Sequence, residues 1–315
     1  MLNIKENKSY NNFVITGTLS TIDVKEGRSK STDAYPQGQD YVRVNAMVRL
    51  DQEINGVLTQ CEVPIELYAN KDYSKGDVNP IYTNGQKFKD FISLSAAGDK
   101  PEKATRISIG ADGKKGGTIK ENVYIPAGTD KEMSITKFRM LGAKEAASKD
   151  VDCATFNLNN VVIGSVKEEV NRDGENTGRL KVKVILVGYQ GRVDVVEFIA
   201  ESENSQAYDF ISENWNKGDT VNIVGRIKYS VKDEVKKVEQ AFGEPLVEHY
   251  TKNVRELIIT GGTMPNDEVQ SYDMGDIQQA LTERQARIEQ AKQKANSVNK
   301  QKTSNVMGSK FDFLN

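Results

Sequence analysis

Val14-Ile15-Thr16-Gly17-Thr18-Leu19, near the start of the chain, and Val161-Val162-Ile163-Gly164-Ser165-Val166, near its middle, read as two copies of one strand. Each is a β-rich run with a glycine inside, and each runs into a polar loop. The segment after each is patterned alike. In Tyr41–Leu50, Val42, Val44, Ala46, Val48 and Leu50 point one way, while Tyr41, Arg43, Asn45, Met47 and Arg49 point the other. In Arg179–Tyr189, Leu180, Val182, Val184 and Leu186 oppose Arg179, Lys181, Lys183 and Tyr189. A period of two marks strands with one buried face.

The repeat continues through a third strand, Thr59–Ala69 and then Arg192–Ala200. A short helical stretch with the same four residues follows in both halves, Asp90-Phe91-Ile92-Ser93 and Asp209-Phe210-Ile211-Ser212, which assigns Phe91 and Phe210 to the core. Two more strands close each unit. They are Ala104–Ile109 and Ser134–Leu141 in the first half, around a Gly/Lys-rich excursion with a further strand near Val123–Ile125. In the second they are Thr220–Val231 and Asn253–Thr260. Three strands, a helix and two strands, repeated twice, predict a mainly all-β chain: two tandem OB-folds, five-stranded Greek-key barrels, each with a short helix. The expected division is an N-terminal barrel with insertions over 1–150, a second barrel over 151–264, and a polar helix and flexible tail over 265–315. Within that tail, Asp276–Ala295 has helical spacing and Ser297–Ser309 reads as a linker.

Composition removes several function classes. Hydrophobic residues make up 37% and charged residues 28%, a balance that suits soluble domains. No apolar run approaches the ~18 residues of a membrane span, and Met1–Lys5 lacks the apolar core of a signal peptide, so a cytoplasmic location is expected. His249 is the only histidine, and Cys61 and Cys153 lie in no ligand-like pattern, so neither a metal site nor a cofactor is expected. Gly110–Thr118 fails as a phosphate loop, because only two residues separate its glycines ahead of the lysines and Lys115, not Ser or Thr, directly follows Lys114. The acids are scattered and form no cluster on a strand, which argues against a metal-dependent nuclease and against any enzyme. The net charge of −2 neither supports nor opposes nucleic-acid binding, which depends on where the cations sit.

The second half carries a resemblance. Asn214-Trp215-Asn216-Lys217-Gly218-Asp219-Thr220-Val221-Asn222-Ile223-Val224-Gly225-Arg226-Ile227 resembles the junction of helix and fourth strand in bacterial single-stranded-DNA-binding proteins. Glu256–Met264 is similar to that family's last strand and Val162–Val166 to its first, so the resemblance covers about residues 158–264, with the first half a divergent copy. It implies a non-catalytic protein that binds single-stranded DNA largely without regard to sequence. Replication, recombination or transfer, in a phage or mobile element, is the expected setting.

Such binding needs cations along the phosphates and flat side chains for the bases. Arg43, Arg49, Arg179, Lys181, Lys183, Arg226 and Lys228 supply the first, and Tyr41, Phe138, Tyr189 and Tyr229 the second. Lys114, Lys115 and Lys120 suit either a DNA-wrapping loop or a solvated turn, and Trp215 reads as a packing residue. Phe311, Asp312 and Phe313 close the chain where the family carries a partner-recruiting tail, although only one acid stands there. RNA is an alternative ligand, and a homo-oligomer is compatible with the pattern. Alternating Lys and Arg equally solubilise an exposed sheet face. The competing reading is therefore a β-barrel scaffold or virion component that ignores DNA.

Overall fold

The structure, a computed structural model, describes residues 2–308 other than 33–34, 55, 73–75, 111–112, 114–115, 127–128, 130, 172, 203–204, 239–241, 243–245 and 266–269. In 232–238, 246, 248–250 and 294–308 it describes the backbone alone. The first unit contains β1 (Tyr10–Arg28), β2 (Asp40–Ile54), β3 (Val57–Asn70), α1 (Pro80–Gln86), α2 (Leu94–Ala97), β4 (Arg106–Ile109), β5 (Gly117–Tyr124), β6 (Met133–Met140) and β7 (Lys144–Glu145). The second contains β8 (Cys153–Val170), β9 (Asn176–Val187), β10 (Val193–Ala200), α3 (Gln206–Asn214), β11 (Thr220–Val238) and β12 (Leu246–Gly262), and α4 (Met274–Gly308) follows.

The ladder of the second unit closes completely. β8 pairs with β9, β9 with β10, β10 in parallel with β12, β12 with β11, and β11 back with β8. That is the circuit of a five-stranded OB barrel. The first unit follows the same circuit with its fourth strand in two pieces. β4 pairs with β1 and β5 with β6, which in turn runs parallel to β3. The pieces belong to one strand because the excursion between them returns on itself: a Cβ on Gly110 would lie 2.9 Å from the Cα of Gly116.

Pairing register also corrects the sequence alignment of the two copies. Both first strands carry a bulge against the second, after Leu19 in β1 and after Ile163 in β8. Ser20 is therefore the counterpart of Gly164, and Gly17 lies three residues upstream. Two short β-branched runs slide past one another in sequence without penalty, whereas a bulge fixes the register. The shared Asp-Phe-Ile-Ser also divides. The second copy lies inside α3, while in the first Asp90 ends a 3-10 turn, Phe91 is extended and Ser93 caps α2 by accepting from the Ala96 N–H. Likewise α4 runs on through the stretch expected as a linker.

The two barrels share one sheet. β1 and β8 pair antiparallel over Tyr10–Thr16, with Phe13 opposite Phe156. Each ring lies over a glycine of its own fourth strand. A Cβ on Gly117 would stand 2.5 Å from Phe13, and one on Gly225 would stand 2.4 Å from Phe156 and 2.0 Å from the Ile258 carbonyl. Phe13 meets Phe138 edge to face at 5.6 Å, and Phe156 meets Phe198 at 5.2 Å. One continuous apolar core runs from Phe13 and Val44 in the first barrel to Val182 and Leu257 in the second.

Beside the join, the buried Asn11 side chain pairs with the backbone of β5 in both directions. It donates to the Ile119 carbonyl at 2.7 Å and accepts from the Ile119 N–H at 2.8 Å. A second, smaller core gathers Ile4, Val162, Val187 and Val193 under Tyr272, Ile277 and Ala280, so residues 2–9 belong with the second barrel and α4 rather than the first. From α4, Arg284 then reaches across to Glu121 of β5 (Nε–Oε2 2.9 Å), which also accepts from the Val195 N–H at 3.0 Å and the Ser134 hydroxyl at 3.0 Å.

Gly225→Val is expected to lower stability by about 1–3 kcal/mol or more, through overpacking against Phe156 and the Ile258 carbonyl. A shift of the urea midpoint checks it. Arg284→Met leaves the buried Glu121 carboxylate uncompensated and is expected to cost about 3–5 kcal/mol. A concerted loss of α4 and β5 amide protection in hydrogen exchange would locate the effect.

Candidate nucleic-acid interface

A groove of about 950 Å³ opens between the barrels. One wall is the outer face of β2, β3 and β6, including Asn45, Met47, Pro64 and Lys137. The other comes from β8 to β12, including Arg179, Lys181, Glu197 and Lys228. Period-two alternation contributes to both walls: the residues between the buried ones face outward along β2 and over Arg179–Val184 of β9.

Farther along the first wall, β2 and β3 carry a cluster of rings and cations. Tyr41 and Tyr68 approach to 5.5 Å between centroids at a 30° tilt. Tyr68 is 42% exposed, and its hydroxyl bonds the Asn70 side chain at 3.1 Å. Tyr41 sits across from Gly27 of β1, where a Cβ would come within 2.9 Å of its hydroxyl, so only glycine leaves the ring this position without displacement. Arg43 is exposed and stands in register between Lys25 on β1 and Tyr68 on β3. Arg139 of β6 is exposed beside them and donates to the Tyr68 carbonyl at 3.3 Å. Among the described residues neither Arg43 nor Arg139 has a carboxylate within ion-pairing distance, while Lys25 meets Asp23 at 3.2 Å. Tyr68 and Arg139 were not singled out in the sequence. The signal available was their register beside Tyr41 and Arg43, which needs the strand pairing.

The other candidates stand elsewhere. Phe138 is buried between Phe13 and Tyr229, and Tyr229 is itself only 7% exposed, its ring edge to face with Phe138 at 5.4 Å. Neither offers a face to a base, so both are corrected from stacking platforms to core. Sequence alternation could not show this, because β11 runs past its own barrel and drives Tyr229 into the first one, with the Ile227 carbonyl accepting from Gln52 at 2.6 Å. Arg49 lies at the far end of β2 and donates to Gln60 at 2.7 Å. Tyr189 is 75% exposed in a turn, away from the groove. Lys183 is exposed and Arg226 half-buried.

Arg179 contacts Glu169 at 3.1 Å and Glu256 at 2.8 Å, Lys181 contacts Glu169 and Glu197, and Lys228 contacts Glu201 at 3.1 Å. Lys120 lies in β5 and meets Asp194 at 3.6 Å. Lys114, Lys115, Phe311, Asp312 and Phe313 lie outside the described residues, and for His249 only the backbone is described. Trp215 is buried and donates from its ring nitrogen to the Thr263 carbonyl at 3.0 Å, a packing role. Among the described residues no group of three His, Cys, Asp or Glu side chains is placed to hold a metal, and no helix is long and apolar enough to cross a membrane.

The sequence matches the family described as YorF over residues 9–294, which takes in both barrels and most of α4. This chain belongs to the YorF family. No curated protein matches it. Among solved structures, the wild-type single-stranded DNA binding protein from Thermus aquaticus is similar at 12% identity and a TM-score of 0.47, covering 85% of this chain and 99% of that one. A deletion mutant of the same Thermus aquaticus protein is similar at 12% identity and 0.47, over 84% and 98%. The OB assignment of the YorF chain rests on its own strand pairing.

Burial pushes the Tyr229 hydroxyl up to about 12, against a smaller opposing pull from Arg255 and a hydrogen bond with Thr136. The folded state disfavours the tyrosinate, so this contribution is fully present below pH 10 and is lost as pH rises to about 12. It amounts to about 2–3 kcal/mol from a shift of that size. Stability measured between pH 9 and 12 is expected to fall less steeply in Tyr229→Phe than in the parent chain.

Proposed function

We propose that this chain binds single-stranded DNA without catalysing a reaction, and that the outer face of the first barrel is where it does so. The observation that carries the reading is the half-exposed Tyr41–Tyr68 pair flanked by Arg43 and Arg139 on the outer face of β2, β3 and β6. Aromatic faces take bases whatever their identity, and cations follow the phosphates. A site built this way discriminates single strands from duplexes, whose bases are already stacked. Protection or organisation of single strands in replication, recombination or transfer follows, in the cytoplasm of a bacterium or of a phage-infected one. The terminal Phe311-Asp312-Phe313 would be available to partner proteins. The resemblance of residues 158–264 to single-stranded-DNA-binding proteins accords with this reading. RNA would satisfy the same contacts.

Fluorescence anisotropy with labelled oligo-dT and an equal-length duplex, titrated across several salt concentrations, tests it. Binding confined to the single strand and weakening with salt is expected. Tyr68→Ala is expected to cost about 1–3 kcal/mol of that affinity, the stacking of one base. Absence of binding at low salt would overturn the proposal and leave the barrels as a protein scaffold.

A further inference from the structure

The strand register allows the same position to be compared in both barrels. Ala46 and Val182 each follow the first-strand bulge by one rung, which makes Arg43 of β2 the counterpart of Arg179 of β9. On the first-strand side, Arg43 faces Lys25, and the corresponding residue beside Arg179 is Glu169. On the third-strand side, Arg43 faces Tyr68. Val44 pairs Leu67 as Leu180 pairs Ala200, so the counterpart of Tyr68 is Glu201. The parallel rungs Glu66–Arg139 and Ile199–Ile258 likewise match Lys137 with Glu256. One arginine is thus kept in both barrels, and the three compared positions change from Lys25, Tyr68 and Lys137, the last paired with Glu66 at 2.6 Å, to three glutamates.

Those glutamates are engaged. Arg179 lies between Glu169 and Glu256, and Lys228 lies between Glu201 at 3.1 Å and Glu256 at 4.0 Å, with its side chain 14% exposed. A phosphate approaching Arg179 would have to displace a carboxylate and then remain beside the others, which is a like-charge contact in a partly desolvated place. The same phosphate approaching Arg43 meets a guanidinium with no carboxylate partner among the described residues, a ring, and a lysine paired with the exposed Asp23.

We infer that the two barrels are unequal, with one strand-binding face per chain, on the first barrel, and the equivalent face of the second closed by its own ion pairs. The inference rests on the reading of this protein as a single-strand binder and reverses the expectation from sequence, in which the second barrel supplies most of the cations. The second face serves instead to tie β8, β9, β10, β11 and β12 together across the groove. A single such face predicts an occluded length typical of one OB-fold, on the order of 4–16 nucleotides, rather than of two.

The test compares Arg43→Ala with Arg179→Ala in the full chain, using labelled oligo-dT at several salt concentrations. Arg43→Ala is expected to weaken binding about tenfold and to reduce the salt slope by about 0.7, one phosphate contact on a single strand. Arg179→Ala is expected to change the dissociation constant less than twofold. Because loss of Arg179 strands two carboxylates and could unfold the chain, Lys181→Ala, at a half-buried partner of the same network, is measured beside it with the same expectation. If Arg179→Ala in a folded chain, or Lys181→Ala, weakens binding as much as Arg43→Ala, the inequality is overturned while the binding function stands. If the parent chain binds no single strand, the underlying function falls instead.

Discussion

Everything in this molecule depends on the antiparallel pairing of β1 with β8. An OB barrel leaves its first strand with a free edge over part of its length, and an unpaired edge is a liability in water. Here each barrel's first strand satisfies the other's, and Phe13 and Phe156, opposite in that register, each require a glycine beneath the ring. The consequence is one core and one sheet, rather than two beads on a string. The remaining features follow from that geometry. Asn11 sits beside the join and substitutes its side chain for a missing ladder rung. β11 extends far enough to place Tyr229 in the neighbouring barrel.

The join also decides what the outer faces can do. It brings both into one groove, so their charges are read together. The first barrel presents two rings with Arg43 and Arg139, which meet no carboxylate among the described residues, and the second presents a lattice of Lys/Arg–Glu pairs. Exposed ion pairs contribute little to stability singly. A network with side chains 14–24% exposed, such as Arg179, Lys228 and their partners, holds geometry more firmly and leaves less positive potential for a ligand. The same alternation of polar and apolar residues therefore serves two ends in the two halves.

How far this was legible from sequence varied by kind of feature. The strands from Tyr41 to Leu50 and from Arg179 to Val184 could be read because burial on one face imposes a period of two. The shared Asp-Phe-Ile-Ser misled, because four residues do not fix a helix: in one copy neighbouring helix turns support it, and in the other Ser93 is used as a cap. The candidate site was half legible. Tyr41 and Arg43 stood out, but Tyr68 and Arg139 lie on other strands and joined them only through register.

The sequence by itself determined that the chain is β-rich and repeated, and that strands such as β2 have one apolar face. It could do so because these are local consequences of alternation and of the backbone's own geometry. Tertiary structure alone decided which outward residues are free. Phe138 and Tyr229 lie on alternating strands as Tyr41 does, yet both are enclosed where the barrels meet. Arg179 holds the register position of Arg43, yet Glu169 and Glu256, from two other strands, pair with it. Contact between chain segments far apart in sequence sets both burial and charge pairing, and no local pattern records it.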